Sequence, residues 1–194
     1  FETSIEQYHL TNDVDTPINN PFPNGSFEYL LYLKNWIDTV QWHLEDIIRS
    51  PTIAPQELVA IKRRIDASNQ HRTDVVEQLD DYFLGCFRAI QPKETARLNS
   101  ETPAWLLDRM SILLLKVFHM KEQVERGDAD TEHKARCHAK WQILVEQRTD
   151  MATCFDELMA EIQTGVRRFK VYRQMKMYND AALNPVLYAP SAEK

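Results

Sequence analysis

Glycine is scarce in this chain, and its placement constrains the fold more than any other feature. Only four glycines occur among the 194 residues, whereas an average chain of this length has about fourteen. Sheet-and-turn architectures place glycine at many turn positions of positive φ, so the sequence disfavours them. Gly25, Gly85, Gly127 and Gly165 each lie where a periodic apolar pattern begins, ends or is interrupted. We therefore predict an all-α fold of long helices.

Four segments carry apolar residues at intervals of three and four, which is the periodicity of an amphipathic helix. Ser26 can cap the first helix, and Pro55 stands in the first turn of the second. Thr102 and Pro103 repeat the capping residue and the proline at the start of the third helix. The fourth follows a turn at residues 127–130. Because the connections are short, we expect sequential helices to run antiparallel.

The two halves of the helical region resemble each other. The segment HRTD at 71–74 aligns with QRTD at 147–150, and the apolar stripe stays in register along the helix. We predict duplicated helical hairpins over residues 26–86 and 102–165, with chance similarity of heptad-like patterns as the alternative. The expected architecture is an antiparallel four-helix bundle within a single domain over residues 26–178.

The two ends of the chain lack the long stripes. Residues 1–25 contain three prolines and no sustained period, so we expect an irregular N-terminal arm. Residues 166–178 are predicted to form a short basic C-terminal helix, and residues 179–194 a tail.

Cysteine content and hydropathy suggest a compartment. Three cysteines without a CxxC spacing argue against a disulfide framework or a zinc knuckle and favour a reducing compartment. No apolar run approaches the ~18 to 20 residues of a membrane-spanning helix. We expect a cytoplasmic protein with no transmembrane segment.

Charged residues on the apolar stripes predict buried ion pairs. Arg72 and Arg148 occupy matching inward positions of the two hairpins, and Asp38 and Asp108 also match. Asp108 and Arg148 lie at equal distances along the chain from the turn that joins their helices, so we predict that they are level and form a structural ion pair. The alternative is that the guanidinium groups bind an anionic ligand in the bundle core.

The first hairpin is polar at several positions where the second is apolar, which is a pattern typical of a binding site. The candidate ligand-binding residues are Asp38, His43, Glu45, Asp66, Asn69 and Arg72. Carboxylate and amide oxygens from adjacent helices suit a hard divalent cation such as Mg²⁺ or Mn²⁺, with His43 as a base or an outer partner and Arg72 supplying positive charge. The alternative is a solvated outer face.

Complete catalytic motifs are absent from the sequence. It contains no glycine-rich phosphate loop and no serine elbow. A di-iron carboxylate bundle needs two inward Glu-x-x-His pairs. The nearest feature here, His119 followed by Glu122, has the reverse order.

A basic segment near the C-terminus carries five cationic residues and no acidic one between residues 165 and 178. These residues are Arg167, Arg168, Lys170, Arg173 and Lys176. Aromatic residues interleave them, so we predict contact with an anionic partner. The alternative is that they complement a helix dipole and face the acidic body of the chain.

A combination of motifs resembles a bacterial domain-of-unknown-function family, numbered 4254. The motifs are FEYLLYLKNW at 27–36, WHLED at 42–46, KRRID at 62–66 with Asn69 and RTD at 72–74, LNSETP at 98–103, DRMSIL at 108–113 and KVFH at 116–119. The resemblance covers residues 26 to 188 and implies an all-helical cytosolic bacterial protein near envelope polysaccharide synthesis. It supplies no catalytic residues. Ala104 replaces the glycine of a Thr-Pro-Gly motif, so a close backbone approach that depends on glycine is not expected there.

Two functions follow from the sequence. The first is a helical accessory or binding protein, linked to envelope glycan synthesis, whose partner is a protein or a phosphorylated small molecule rather than a nucleic acid. The second is a divalent-metal-dependent phosphohydrolase that uses the carboxylates of the first hairpin and resembles the all-α nucleotide pyrophosphatases. The chain lacks the Glu-x-x-Glu pair of those enzymes, since Asp38 and Glu45 are seven residues apart.

Overall fold

The structure is a computed structural model that describes residues 1–175 and 182–183, and helices dominate it. The helices are α1 (Glu2–His9), α2 (Phe27–Ile48), α3 (Pro55–Cys86), α4 (Pro103–Glu125) and α5 (Thr131–Gln163), and the strands are β1 (Arg97–Leu98) and β2 (Arg167–Arg168). The prediction of a predominantly helical fold is confirmed.

The predicted helix starts lie where the capping residues place them. The Ser26 hydroxyl accepts a hydrogen bond from the Tyr29 backbone N–H at 3.1 Å, and the Thr102 hydroxyl accepts one from Trp105 N–H at 3.3 Å. Pro55 occupies the first turn of α3, where its missing N–H costs no helical hydrogen bond. Local sequence therefore determines where these three helices begin.

The main hydrophobic core joins α2, α3 and α4. Its buried residues are Leu30, Ile37, Val75, Val76, Leu79, Phe83, Ala104 and Leu107. Helix α2 packs along α3, and α4 packs along α5. Helix α5 reaches this core through partly buried side chains, among them Phe155 and Met159, and much of its apolar stripe is only half-buried.

The N-terminal arm contains a helix, which corrects the prediction of an irregular segment over residues 1–25. Ile5 and Tyr8 of α1 are buried, and the Ser4 hydroxyl donates to the Tyr32 carbonyl of α2 at 3.2 Å. A helix of eight residues has no stability of its own in water. Packing against α2 and α4 stabilises it, and the prediction missed this because it is a tertiary effect.

The C-terminal segment is extended where a helix was predicted over residues 166–178. Residues 166–175 contain β2, which pairs in parallel with β1, and no helical turn. Gly165 has φ +69°, and its carbonyl accepts a hydrogen bond from Lys93 N–H at 2.9 Å. This left-handed residue ends α5 and turns the chain onto β1. Residues 176–178 lie outside the described part of the chain.

Gly165→Ala should lower the free energy of unfolding by about 2 kcal/mol, because alanine at positive φ costs about 1 to 2 kcal/mol. In addition, a Cβ at this position would lie 2.9 Å from the Gln91 carbonyl oxygen. Urea denaturation measures the loss. Gly127→Ala is the matched control, since its φ is not positive and a Cβ there meets nothing within 4 Å. Equal stability of the two variants would contradict this account of the turn.

Candidate metal centre

Three histidines from three helices converge at one end of the α1–α2–α4 contact. They are His9 in the last turn of α1, His43 in α2 and His119 in α4. One ring nitrogen from each lies within 4.8 Å of the other two, and the Nε2 atoms of His9 and His43 are 3.2 Å apart. All three side chains are partly buried. The cluster therefore has the composition and the compactness of a metal-ligand set.

Hydrogen bonds at Nδ1 make Nε2 the lone-pair nitrogen in two of these rings, and the Nε2 of His9 accepts a hydrogen bond from His43 Nε2 that a metal ion would replace. His9 Nδ1 lies 2.7 Å from the Ile5 carbonyl oxygen, and His119 Nδ1 lies 2.8 Å from Glu122 Oε2. Each contact places the proton on Nδ1 and the lone pair on Nε2. His119 Nε2 is buried and has no hydrogen-bond partner. A buried nitrogen without a partner is costly unless something binds it.

Aromatic rings fix the orientation of the histidines. Tyr8 stacks on His43 with ring centroids 5.1 Å apart, and Trp42 stacks on His119 with centroids 4.9 Å apart. The interplanar angles are 14° and 15°. The Phe118 ring lies 4.3 Å from that of His9. These contacts restrict ring rotation, which preorganises the three nitrogens.

Burial favours the neutral form of two of the three imidazoles, those of His9 and His43. Burial lowers the pKa of His9 and the nearby His119 acts in the same direction, whereas the hydrogen bond with the Ile5 carbonyl opposes the shift. Burial also lowers the pKa of His43, with His119 and His9 acting in the same direction. Neutral imidazole is the form that binds metal ions, because protonation occupies the lone pair.

The geometry fits a transition metal. Two imidazole nitrogens on a tetrahedral Zn²⁺ are about 3.4 Å apart; here the Nε2 atoms of His9 and His43 are 3.2 Å apart, and one nitrogen from each of the three rings lies within 4.8 Å of the others. Imidazole suits Zn²⁺, Cu²⁺ and Ni²⁺ better than Mg²⁺ or Ca²⁺, which prefer oxygen ligands.

The structure brings three of the six predicted ligand-binding residues to one cleft. Asp38, Glu45 and Arg72 line a cleft of about 240 Å³ between α2, α3 and α4, with Trp42 on its wall. Glu45 contacts Arg49 at 3.3 Å. Arg72 Nε lies 3.3 Å from Asp108 Oδ1. The acidic groups of this cleft are therefore close to cationic side chains.

The other three predicted residues lie elsewhere. His43 belongs to the histidine cluster. Asp66 is exposed and pairs with Lys62 one helical turn away. Asn69 Oδ1 accepts a hydrogen bond from Gln41 Nε2 at 3.0 Å. None of these three side chains lines the cleft.

A buried lysine that the sequence pattern did not predict dominates the ionic core of the helical region. The Lys34 ammonium is fully buried, pairs with Asp38 and lies 2.8 Å from Asp108 Oδ1. The Ser111 hydroxyl also donates to Asp38 at 2.5 Å. The signal was present, since Lys34 precedes Asp38 by four residues on the same helix face. Arg72 joins this cluster through Asp108.

The expected pair of Asp108 with Arg148 requires correction. Arg148 pairs with Glu2 of α1 at 3.1 Å, and the two side chains are 41% and 67% exposed. The prediction assumed that the α5 stripe faces a closed bundle core. Because the α5 backbone packs against α4 rather than against α2 or α3, Arg148 reaches α1 and solvent instead.

Two residues of the basic segment face the acidic body of the protein. Arg167 Nε lies 2.7 Å from Glu161 Oε2, and Arg173 contacts Asp81 at 2.5 Å and Glu77 at 3.4 Å. The remaining residues of the segment differ in position: Arg168 is exposed in β2, Lys170 lines a surface cleft with Trp105 and Arg109, and Lys176 lies outside the described residues.

His9 and His119 are the functional candidates that sequence reasoning did not select. The spacing of His119 to Glu122 is the reverse of a di-iron motif, but the same spacing suits a histidine oriented by a carboxylate. His9 lies in a segment predicted to be irregular. No periodic signal connects it with residues 34 and 110 positions away.

The fold and this cluster define a predominantly helical protein with a candidate three-histidine centre. A family model described as "Protein of unknown function (DUF4254)" matches residues 28–171, so the chain belongs to this family. The matched range contains His43 and His119 but not His9. No curated protein and no solved structure matches the chain. Among the described residues, no helix combines the length and apolar character that a bilayer crossing requires.

Proposed function

We propose that this protein binds a transition-metal ion, with Zn²⁺ as the best match, through His9, His43 and His119. The observation that carries the proposal is the convergence of three ring nitrogens within 4.8 Å. The unpartnered, buried His119 Nε2 gives independent support, because a bound cation would satisfy it. Glu122 acts as the outer partner that fixes the tautomer of His119.

Three protein ligands leave one position of a tetrahedral ion open. Structural zinc sites use four protein ligands, whereas catalytic sites use three and bind water at the fourth. Zinc lowers the pKa of such a water to about 7, so the centre would hold a hydroxide nucleophile near neutral pH. The functional class that this ligand set supports is hydrolysis or hydration by metal-bound water.

Zinc titration of chelator-stripped protein tests the centre. Isothermal titration calorimetry with a competing chelator should give one tightly bound Zn²⁺ per chain. Co²⁺ in its place should give the visible absorption of a tetrahedral complex. His9→Ala, His43→Ala and His119→Ala should each weaken binding by at least about 100-fold, and Glu122→Gln by about 10- to 100-fold, because the outer partner only orients its ligand.

His71→Ala is the control, since His71 is exposed on α3 and outside the cluster. It should bind zinc like the unaltered protein. Unchanged affinity in all three cluster variants, or equal losses in His71→Ala, would contradict the proposed ligand set.

The functions predicted from sequence differ from this proposal in the residues they use. A phosphohydrolase using the hairpin-one carboxylates would need Asp38, Glu45 and Asp66 to release the cations that they contact. A cytoplasmic accessory role in bacterial envelope glycan synthesis stays a prediction, as does anionic-partner contact by the basic segment. The antiparallel bundle of duplicated hairpins also stays a prediction.

A further inference from the structure

An apolar groove lies beside the histidine cluster, between α4 and α5. Its volume is about 440 Å³, within the range of small-molecule sites. Met120, Ile143 and Leu144 form much of its apolar lining, and the Trp42 ring contributes from α2. Ile143 is 64% exposed. Water-exposed apolar surface of this kind favours an apolar ligand, because binding removes the apolar surfaces of the groove and the ligand from water.

The charges of the groove are exclusively positive. Lys116 of α4 and Lys140 of α5 line it, and no acidic side chain does. Neither lysine forms an ion pair with any residue in the described part of the chain. By contrast, Lys62 and Lys121 on other exposed helix faces pair with acidic neighbours. In a chain of net charge −6, two uncompensated lysines on one groove favour an anion.

The remaining polar lining residues can contact a head group. Gln123 offers an amide, and the imidazole of His119 forms part of the wall. Trp42 covers one face of that imidazole. A ligand in the groove would therefore lie next to the candidate metal centre.

We infer that this groove binds an amphiphilic anion with one apolar chain, which packs against Met120, Ile143 and Leu144 while Lys116 and Lys140 hold the anionic head group. A carboxylate and a phosphate head present the same chemistry to two ammonium groups. The inference goes beyond the proposed metal binding and does not require it, because neither lysine belongs to the metal-ligand set.

Calorimetry with single-chain amphiphiles below their micelle concentration tests the inference, in metal-free protein and again with Zn²⁺. Decanoate and decyl phosphate distinguish the two head groups, and decyltrimethylammonium has the same chain with the opposite charge. At least one of the anions should bind at one site per chain and at least about tenfold more tightly than the cation. Binding in the metal-free protein would support the groove even where zinc binding fails.

Lys116→Ala combined with Lys140→Ala should weaken anion binding by about tenfold. Ile143→Asp should also weaken binding, because it removes an apolar contact with the alkyl chain of the ligand. All three residues are exposed, so these variants should fold, which circular dichroism checks. Lys121→Ala and Leu58→Asp are the matched controls, because they alter an exposed lysine and an exposed leucine that do not line this groove.

A different occupant of the groove would give a different result in these experiments. Equal binding of the cationic and anionic amphiphiles, or unchanged binding in the double-lysine variant, would overturn the inference. So would a dimer in analytical ultracentrifugation that Ile143→Asp dissociates, because a second copy of the chain would then cover the groove.

Discussion

Lys34→Met should lower the free energy of unfolding by about 3 to 5 kcal/mol, which is the cost of removing one partner from a buried ion pair. The Lys34 ammonium is inaccessible to solvent and lies between Asp38 and Asp108. It also donates to the Asp108 carbonyl at 3.2 Å. With Arg72 the cluster holds two cations and two carboxylates. Methionine keeps the length of the side chain but leaves a buried negative charge uncompensated.

Lys62→Met is a close control. Lys62 pairs with Asp66 at the same spacing of four residues on a helix, but both side chains are about half exposed. Solvent screens such a pair, so the loss should be below about 1 kcal/mol. Chemical denaturation of both variants measures the difference. Similar losses would show that burial does not set the energy of the Lys34 cluster.

The loss of unfolding free energy caused by Lys34→Met should depend on pH. Burial raises the pKa of Asp38, and the neighbouring Lys34 opposes that rise, so removing Lys34 raises the pKa further. When the pKa of a carboxyl is higher in the folded state than in the unfolded state, protonation stabilises the fold. This stabilisation is fully present below the unfolded-state pKa and is lost as the pH rises through the folded-state pKa. The gap between the unaltered protein and the variant should therefore be smaller at about pH 4 than at about pH 8.

The long helices were predictable because their signals are local. Ser26, Pro55 and Thr102 specify helix starts through their own hydrogen bonds and ring geometry. Helix α1 was not predictable in this way, since Ile5 and Tyr8 stabilise it only by contact with distant helices. The same limit applies to Arg167 and Arg168, which enter a strand because β1 is available as a partner.

The candidate site shows the same division between local and long-range information. His43 stood out because hairpin one is polar where hairpin two is apolar. Its neighbours in space, His9 and His119, lie on other helices, and one sequence without aligned relatives carries no record of such contacts. Lys34 differs, since its pairing with Asp38 is local. The arginines at matching positions of the two hairpins instead favour a symmetric pairing, which the structure does not adopt.

Zinc should stabilise the folded protein by an amount set by mass action. At a free Zn²⁺ concentration about 100 times the dissociation constant, the gain in unfolding free energy is about 2.7 kcal/mol for a single site that only the folded state binds. The melting temperature should rise accordingly. His119→Ala should lose this increment, whereas His71→Ala should keep it, because His71 lies outside the cluster.

The stabilisation by Zn²⁺ should be concentrated at α1. Its contacts with α2 and α4 involve three buried side chains, Ser4, Ile5 and Tyr8, and a metal bound to His9 would add a link to each of those helices. Hydrogen exchange of the backbone amides of α1 should therefore slow when Zn²⁺ is added, and His9→Ala should abolish that protection without unfolding α2 and α4.

Magnesium separates this centre from the carboxylate site predicted by sequence. Imidazole nitrogens bind Mg²⁺ weakly, so Mg²⁺ should leave the melting temperature and the exchange of α1 unchanged. If the hairpin-one carboxylates hold the ion instead, Mg²⁺ or Mn²⁺ should raise the melting temperature and Asp66→Asn should abolish that rise. Stabilisation by Mg²⁺ that requires Asp66, together with none by Zn²⁺, would favour the carboxylate site. We expect the reverse, because Asp66 is exposed and already paired with Lys62.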